Sequence, residues 1–139
     1  MDKANDINVL CRDDPYGAMM RTKIMIIDDD DRIRKLLCGF LEHAGFSVSC
    51  QASGAEALLE IQHGDFDYIV TDFEMPEMDG LEVTRQVRRI LPRAIVIGMS
   101  GGDRGMAFLN AGANDFLQKP FALERLAGMV SGARMRDPV

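Results

Sequence analysis

The segment KIMIIDDDD, residues 23–31, decides the fold, because four consecutive apolar residues run directly into four aspartates. A short, continuous apolar run is typical of a β-strand that is buried on both faces of a parallel sheet. Apolar side chains then recur at positions 33, 36, 37, 40, 41 and 44, which is the spacing of an amphipathic helix. The segment therefore predicts a buried strand, an acidic turn and a helix that covers the sheet.

The same alternation recurs along the rest of the chain. Short apolar segments predict four more strands, at residues 46–50, 66–71, 94–99 and 116–118. Amphipathic segments predict four more helices, at residues 53–63, 81–91, 104–111 and 123–133. This pattern indicates an α/β protein with a doubly wound, five-stranded parallel sheet. We expect one domain at residues 23–134, a flexible N-terminal extension at residues 1–22 and a C-terminal tail at residues 135–139.

Composition excludes several classes of protein. The chain has 139 residues, and 16 Lys and Arg against 22 Asp and Glu give a net charge of −6, which argues against direct binding of nucleic acid. Apolar runs are too short to span a membrane, and the first residues lack the apolar core of a secretory signal, so we expect a cytoplasmic protein. Three cysteines without a C-x-x-C pair and two histidines argue against a disulfide scaffold and a zinc site. We expect the cysteines to be small buried hydrophobic residues.

Polar residues follow the predicted strands at their C-terminal ends. Asp28 and Asp29 end the first strand, Asp72 the third, Ser100 the fourth and Lys119 the fifth. These ends meet at one edge of a parallel sheet, so the side chains are expected to converge. Carboxylates without histidine or cysteine suit Mg²⁺. A magnesium ion beside a free carboxylate, an ammonium and a hydroxyl is an arrangement suited to phosphoryl transfer.

Four motifs together resemble the receiver domain of two-component response regulators, the family that includes the chemotaxis regulator. They are IIDD at residues 26–29, DFEMPEMDG at 72–80, SG at 100–101 and KPF at 119–121. The resemblance covers residues 23 to about 133. It implies the (βα)5 flavodoxin-like receiver fold.

The resemblance also implies a role for each site residue. Asp72 would be the phospho-acceptor, and Asp28, Asp29 and Asp72 would hold Mg²⁺ together with the backbone carbonyl of Glu74. Ser100 would be the switch hydroxyl, and Lys119 would pair with the phosphoryl group across a cis peptide to Pro120. The phosphoryl donor would be a phosphohistidine on a sensor histidine kinase or a histidine phosphotransfer protein.

Three features depart from the family pattern. Phe116 stands where a switch tyrosine is usual, so its coupling to Ser100 would depend on packing alone. Residues 101–105 are glycine-rich and about three residues shorter than expected, which predicts a brief fourth helix. Glu74 lies two residues after the acceptor, where it would either orient or repel the water that hydrolyses the phosphoryl group.

We therefore expect a stand-alone response regulator receiver that changes its protein-binding surface on phosphorylation, because only about six residues follow the predicted receiver. It would be a signalling switch rather than an enzyme, although self-phosphorylation and slow self-dephosphorylation are within its chemistry. Its downstream protein target is unknown, and a homodimer is one assembly open to it.

One alternative is a metal-dependent phosphatase of the haloacid-dehalogenase type, because residues 28–30 match its D-x-D motif, although Arg32 departs from that pattern. Another is a phosphorylation-independent interaction or dimerisation module.

Other charged residues have simpler interpretations. Asp30 or Asp31 is expected to cap the first helix, and Asp79 with Gly80 is expected to form a turn and a helix start. Residues Arg85, Arg88 and Arg89 share one helical face. That face is expected to be solvated, with docking of an acidic partner as the alternative.

Overall fold

The computed structural model describes residues 21–136, with the last five of these as backbone. Five strands alternate with five helices. The strands are β1 (Lys23–Ile27), β2 (Ser47–Gln51), β3 (Tyr68–Asp72), β4 (Ile95–Ser100) and β5 (Asp115–Gln118). The helices are α1 (Asp31–His43), α2 (Gly54–Ile61), α3 (Gly80–Ile90), α4 (Gly105–Ala111) and α5 (Leu123–Arg136).

All five strands are parallel and form one sheet in the order β2-β1-β3-β4-β5. The predicted α/β, doubly wound, flavodoxin-like fold is confirmed. Because β1 and β3 are neighbours, the residues that follow them lie side by side. Strand β2 lies on one side of β1 and the later strands lie on the other, so the order of the strands reverses at β1. In open α/β sheets, ligands bind at such a switch point.

Helices cover both faces of the sheet, and each face has its own apolar core. One face packs α1 and α5 against the sheet through Leu37, Leu41, Leu126 and Val130. The opposite face packs α2, α3 and α4 through Ala57, Ile61, Val83, Val87 and Phe108. Strands β1 and β3 are buried on both sides, which explains their continuous apolar sequence.

Helix α1 shows how local sequence sets the element bounds. The side chain of Asp30 caps it by accepting hydrogen bonds from the backbone N–H of Arg32 at 2.9 Å and of Ile33 at 3.3 Å. At the other end Gly45 has a φ of 105°, and the Phe46 N–H donates to the Leu41 carbonyl. This is a Schellman motif, which needs a left-handed residue and so favours glycine.

The strand bounds differ from prediction by one or two residues. Strand β3 begins at Tyr68 instead of residue 66, and it ends at Asp72; β4 likewise extends to Ser100. Helix α2 ends at Ile61, two residues before the predicted end. Asp72 and Ser100 are therefore the last residues of their strands, whereas Asp28 and Lys119 directly follow β1 and β5.

The ends of the chain are described only in part. Residues 1–20 and 137–139 lie outside the described residues, so most of the expected extension and tail does too. Thr22, the last residue of the expected extension, is buried, and its carbonyl accepts a hydrogen bond from the Ser47 N–H at 3.0 Å. Helix α5 continues through Arg136, past the expected start of the tail. Within the described residues no helix is long and apolar enough to cross a membrane.

The expectation that the cysteines are simply small buried hydrophobic residues is wrong for Cys38 and Cys50, and Cys11 lies outside the described residues. Cys38 in α1 and Cys50 in β2 are joined by a disulfide, with their Cα atoms 6.5 Å apart. Only Cys38 is buried; Cys50 is exposed. An odd number of cysteines does not reveal which two the packing of α1 over the sheet brings together.

Candidate functional site

Three carboxylates meet where β1 and β3 end. Oxygen atoms of Asp28, Asp29 and Asp72 all lie within 4.8 Å of one another. Asp28 is completely buried and Asp72 nearly so, whereas Asp29 is exposed. The predicted convergence of these side chains is what the structure shows.

Lys119 follows β5, the edge strand, and its side chain reaches this cluster along the C-terminal edge of the sheet. Its Nζ lies 2.8 Å from Oδ1 of Asp72 and 3.4 Å from Oδ2 of Asp28. Strands β3 and β4 lie between β1 and β5, so the long lysine side chain is needed to span this distance. The peptide bond from Lys119 to Pro120 is cis, as predicted.

Burial and charge act on these groups in opposite directions. Desolvation raises the pKa of Asp72 above its ordinary value; the hydrogen bond from Lys119 opposes this, and the charge of Asp28 adds to it. Burial alone would lower the pKa of Lys119, but its bond to Asp72 and the charge of Asp28 raise it overall. Lys119 is therefore firmly protonated, while the folded protein disfavours a charged Asp72.

Asp28 is held rigidly by contacts that sequence patterns do not reveal. Its Oδ1 accepts a hydrogen bond from the Asp30 N–H at 3.0 Å. The guanidinium of Arg34 donates to the Asp28 backbone carbonyl at 2.8 Å and pairs with Asp31. Arg34 was not among the predicted site residues, because its link to the strand end depends on how α1 lies over β1.

The carboxylate cluster fits a hard divalent cation. Its donors are all oxygens, and one positive side chain faces three negative ones, so a cation would relieve their repulsion. Glu74 is exposed and lines the same cavity as Asp28, Asp29 and Asp72. Asp28, Asp29 and Asp72 are thus the side chains able to hold Mg²⁺.

Ser100 lies beside the cluster at the end of β4. It lines a second cavity together with Asp72 and Lys119. The Lys119 N–H donates to the Ser100 carbonyl at 2.8 Å, so the two residues are joined through the backbone. The Ser100 hydroxyl accepts a hydrogen bond from the Gly102 N–H at 3.0 Å, which leaves its own proton to donate.

The loop after β3 folds back onto Asp72. The Gly80 N–H donates to the Phe73 carbonyl at 2.9 Å, and a Cβ at Gly80 would overlap the Asp72 carbonyl. Asp79 caps α3 by accepting from the Glu82 N–H at 3.0 Å, so the predicted turn and helix start are confirmed. Only glycine permits this approach, which explains its place in the DFEMPEMDG motif.

Phe116 lies outside the cluster of acids. Its side chain is half-exposed, and its ring packs on the Cα of Gly105, where a Cβ would overlap it. Gly105 begins α4, which has only 7 residues, so the predicted brief helix is confirmed. The ring thus contacts the segment that leads from Ser100 into α4.

Arg104 is a cavity residue that the sequence did not identify. It lines the cavity of Asp72, Ser100 and Lys119, and its guanidinium carbon lies 4.6 Å from the centre of the Phe73 ring. Only the path of the loop between β4 and α4 brings position 104 over residue 73. A cation–π contact of this kind leaves no local sequence signal.

Comparisons with known proteins agree with this geometry. Residues 24–131 match the family model of the response regulator receiver domain. Response regulator MprA of Mycobacterium sp. strain KMS is 41% identical over 120 residues, covering 84% of this chain and 50% of the relative. The chain therefore spans about half the length of the curated relatives it matches.

Solved structures show the same fold. A two-component response regulator from Clostridium difficile superposes with a TM-score of 0.80 at 29% identity, covering 86% of this chain and 100% of that one. The receiver domain of the Francisella response regulator 1452 superposes with a TM-score of 0.79 at 29% identity, covering 84% and 99%. The acidic strand ends, the apposed lysine and the family match lead to one conclusion: this chain belongs to the response regulator receiver domain family of two-component systems.

Proposed function

We propose that this receiver domain accepts a phosphoryl group on Asp72 from a phosphohistidine of a sensor histidine kinase or a histidine phosphotransfer protein. Asp28, Asp29, Asp72 and the backbone carbonyl of Glu74 would hold the Mg²⁺. The observation that carries the proposal is the Lys119 Nζ 2.8 Å from Asp72, beside three carboxylates within 4.8 Å. Burial of an acid beside two others is unfavourable, and acids in such surroundings cluster at functional sites.

The reaction follows from the residues at the site. A carboxylate oxygen of Asp72 attacks the phosphorus, the phosphorus–nitrogen bond to the donor histidine breaks, and the imidazole leaves with that electron pair. Lys119 stabilises charge on the phosphoryl oxygens, and Mg²⁺ when bound supplies further neutralisation. Rigid strand ends hold these groups in place before the donor arrives.

Phosphorylation would then shift the conformation of the β4–α4 segment. The Ser100 hydroxyl donates to a phosphoryl oxygen, which draws the segment inward and changes the packing of Phe116 against Gly105. Moving an equilibrium from 1:99 to 99:1 takes about 5.5 kcal/mol. One hydrogen bond to a charged group supplies roughly 1.5–3 kcal/mol, so binding of a downstream protein has to supply the rest.

The two alternatives receive no support. In the phosphatase alternative Asp28 would be the nucleophile, but it is completely buried and its two oxygens contact the Asp30 N–H and Lys119. A phosphorylation-independent module would have no need of an acidic cluster with an apposed lysine. The phospho-accepting switch accounts for both features.

The test is covalent labelling with acetyl phosphate and Mg²⁺, followed by mass spectrometry of the modified peptide. We expect one phosphoryl group on Asp72, no label in Asp72→Asn, and no label when a chelator removes Mg²⁺. Asp103→Asn is the matched control, because Asp103 is an exposed acid that lines the same cavity, and it should label normally. A label on Asp28, or an undiminished label in Asp72→Asn, would overturn the proposal.

A further inference from the structure

The cavity that contains Asp72 has two cations among the described residues that line it, Lys119 and Arg104. Lys119 is already shared between Asp72 and Asp28. Arg104 is exposed, and within residues 21–131 its guanidinium has no ion-pair partner; it lies against the face of the Phe73 ring. Its N–H donors are therefore uncommitted.

Phe73 gives Arg104 a rigid support next to Asp72. The Phe73 N–H donates to the Met99 carbonyl at 2.9 Å, which fixes its backbone to β4. Its ring meets the ring of Phe108 edge to face, with centroids 6.1 Å apart and planes at 78°. Phe108 is completely buried, so a core residue holds the ring on which the guanidinium lies.

The charges of this cavity change when Asp72 is modified. A phosphoryl group carries about two negative charges at neutral pH, and it presents three acceptor oxygens. Arginine binds such groups well, because its planar fork donates two parallel hydrogen bonds. An arginine that is stacked on an aromatic ring also loses less side-chain freedom when it binds.

We propose that Arg104 is a phosphoryl-binding residue of this receiver domain. Its guanidinium, supported by Phe73, donates hydrogen bonds to oxygens of the phosphoryl group on Asp72 and complements Lys119 from the loop side of the cavity. This inference rests on the proposed function and adds to it a second cation that the family motifs do not contain.

The test measures affinity for beryllofluoride, a stand-in for the phosphoryl group, by calorimetry or NMR titration of the full chain at saturating Mg²⁺. We expect Arg104→Ala to weaken beryllofluoride binding at least about tenfold, which is the contribution of a hydrogen bond to a charged group. Arg104→Lys keeps the positive charge but loses the planar guanidinium. Its affinity for beryllofluoride should therefore lie between those of the unsubstituted chain and Arg104→Ala. Affinity for Mg²⁺ alone should stay within about twofold.

Arg93→Ala is the matched control. Arg93 is an exposed arginine in the loop before β4, at the opposite edge of the sheet from Asp72. Its removal changes net charge equally and should leave beryllofluoride affinity unchanged. An equal loss in Arg93→Ala would assign the effect to long-range charge and overturn the inference, and so would full affinity in Arg104→Lys.

The two proposals fail in different ways. If the unsubstituted chain neither binds beryllofluoride nor accepts a phosphoryl group on Asp72, the proposed function is wrong and the role of Arg104 is wrong with it. If the unsubstituted chain binds beryllofluoride and Arg104→Ala binds it equally well, only the role of Arg104 is wrong.

Discussion

Two long cations lie at opposite edges of the same sheet, and their surroundings differ. Lys119, at the C-terminal edge, faces the carboxylates of Asp28 and Asp72. Arg88, on α3, points to the N-terminal edge and donates to neutral oxygens. These oxygens are the carbonyls of Gly112 at 2.7 Å, Ala94 at 2.6 Å and Pro92 at 3.3 Å, and Oδ1 of Asn114.

The expectation that Arg88 belongs to a solvated basic face is therefore wrong. Arg88 ties the end of α3 to the end of α4 and the start of β4, and its burial lowers the pKa of its guanidinium. Arg85 and Arg89 on the same helix are exposed, as expected. The helical spacing of residues 85, 88 and 89 does not show that, of these three, only residue 88 lies within reach of the end of α4.

The difference separates Arg88, a cation that joins parts of the fold, from Lys119, the cation that the proposed function uses. Arg88 has neutral acceptors that satisfy its donors, so its surroundings favour no further ligand. Lys119 faces more negative charge than it neutralises, and this excess favours a bound cation. Fold stability should therefore depend on Arg88, whereas ligand binding should depend on the surroundings of Lys119.

The largest effect on stability is expected from Arg88→Ala. Its loss leaves partly buried carbonyls without donors, which should lower the free energy of unfolding by about 3 kcal/mol. Urea denaturation measures the change. Phosphoryl labelling of the folded fraction should persist, and loss of labelling without loss of stability would break the distinction between the two edges.

Binding of Mg²⁺ at the C-terminal edge of the sheet should raise the free energy of unfolding, whereas Arg88→Ala at the N-terminal edge lowers it. At ten times its dissociation constant, Mg²⁺ that binds only the folded protein raises the free energy of unfolding by about 1.4 kcal/mol. Thermal melts with and without Mg²⁺ measure this. Asp28→Asn and Asp29→Asn should abolish the rise, whereas Arg88→Ala should keep it.

Asp72→Asn should stabilise the protein by about 1 kcal/mol when no divalent ion is present. The substitution removes one of the crowded negative charges, whose burial is unfavourable in the folded state. Urea denaturation in the presence of a chelator tests this. Asp103→Asn, an exposed change near the same cavity, should stay within about 0.5 kcal/mol, and a loss of stability in Asp72→Asn would contradict our account of the cluster.

Arg85→Ala should have the smallest effect and provides the reference for Arg88. Arg85 is exposed and pairs with Glu82 at 3.1 Å on the same helix. Exposed pairs of this kind contribute about 0.3–0.5 kcal/mol. If Arg85→Ala destabilised the protein as much as Arg88→Ala, the contacts of Arg88 to neutral oxygens would not explain its effect.

Much of the fold was predictable because its signals are local. Apolar runs such as residues 24–27 predict buried strands, Asp30 and Gly45 set the bounds of α1, and acidic residues at strand ends predict where the site lies. These signals depend on backbone sterics and on burial of neighbouring residues, which a short stretch of sequence contains.

The sequence by itself therefore determined the sheet, the order of its helices and the edge at which Asp28, Asp72 and Lys119 meet. Only the tertiary structure decided which side chains from distant segments come into contact: Arg104 over Phe73, Arg88 on the carbonyls of the opposite edge, and Cys38 beside Cys50. The physical reason is that such contacts depend on how helices and loops pack over the sheet. Spacing along the chain does not encode those distances.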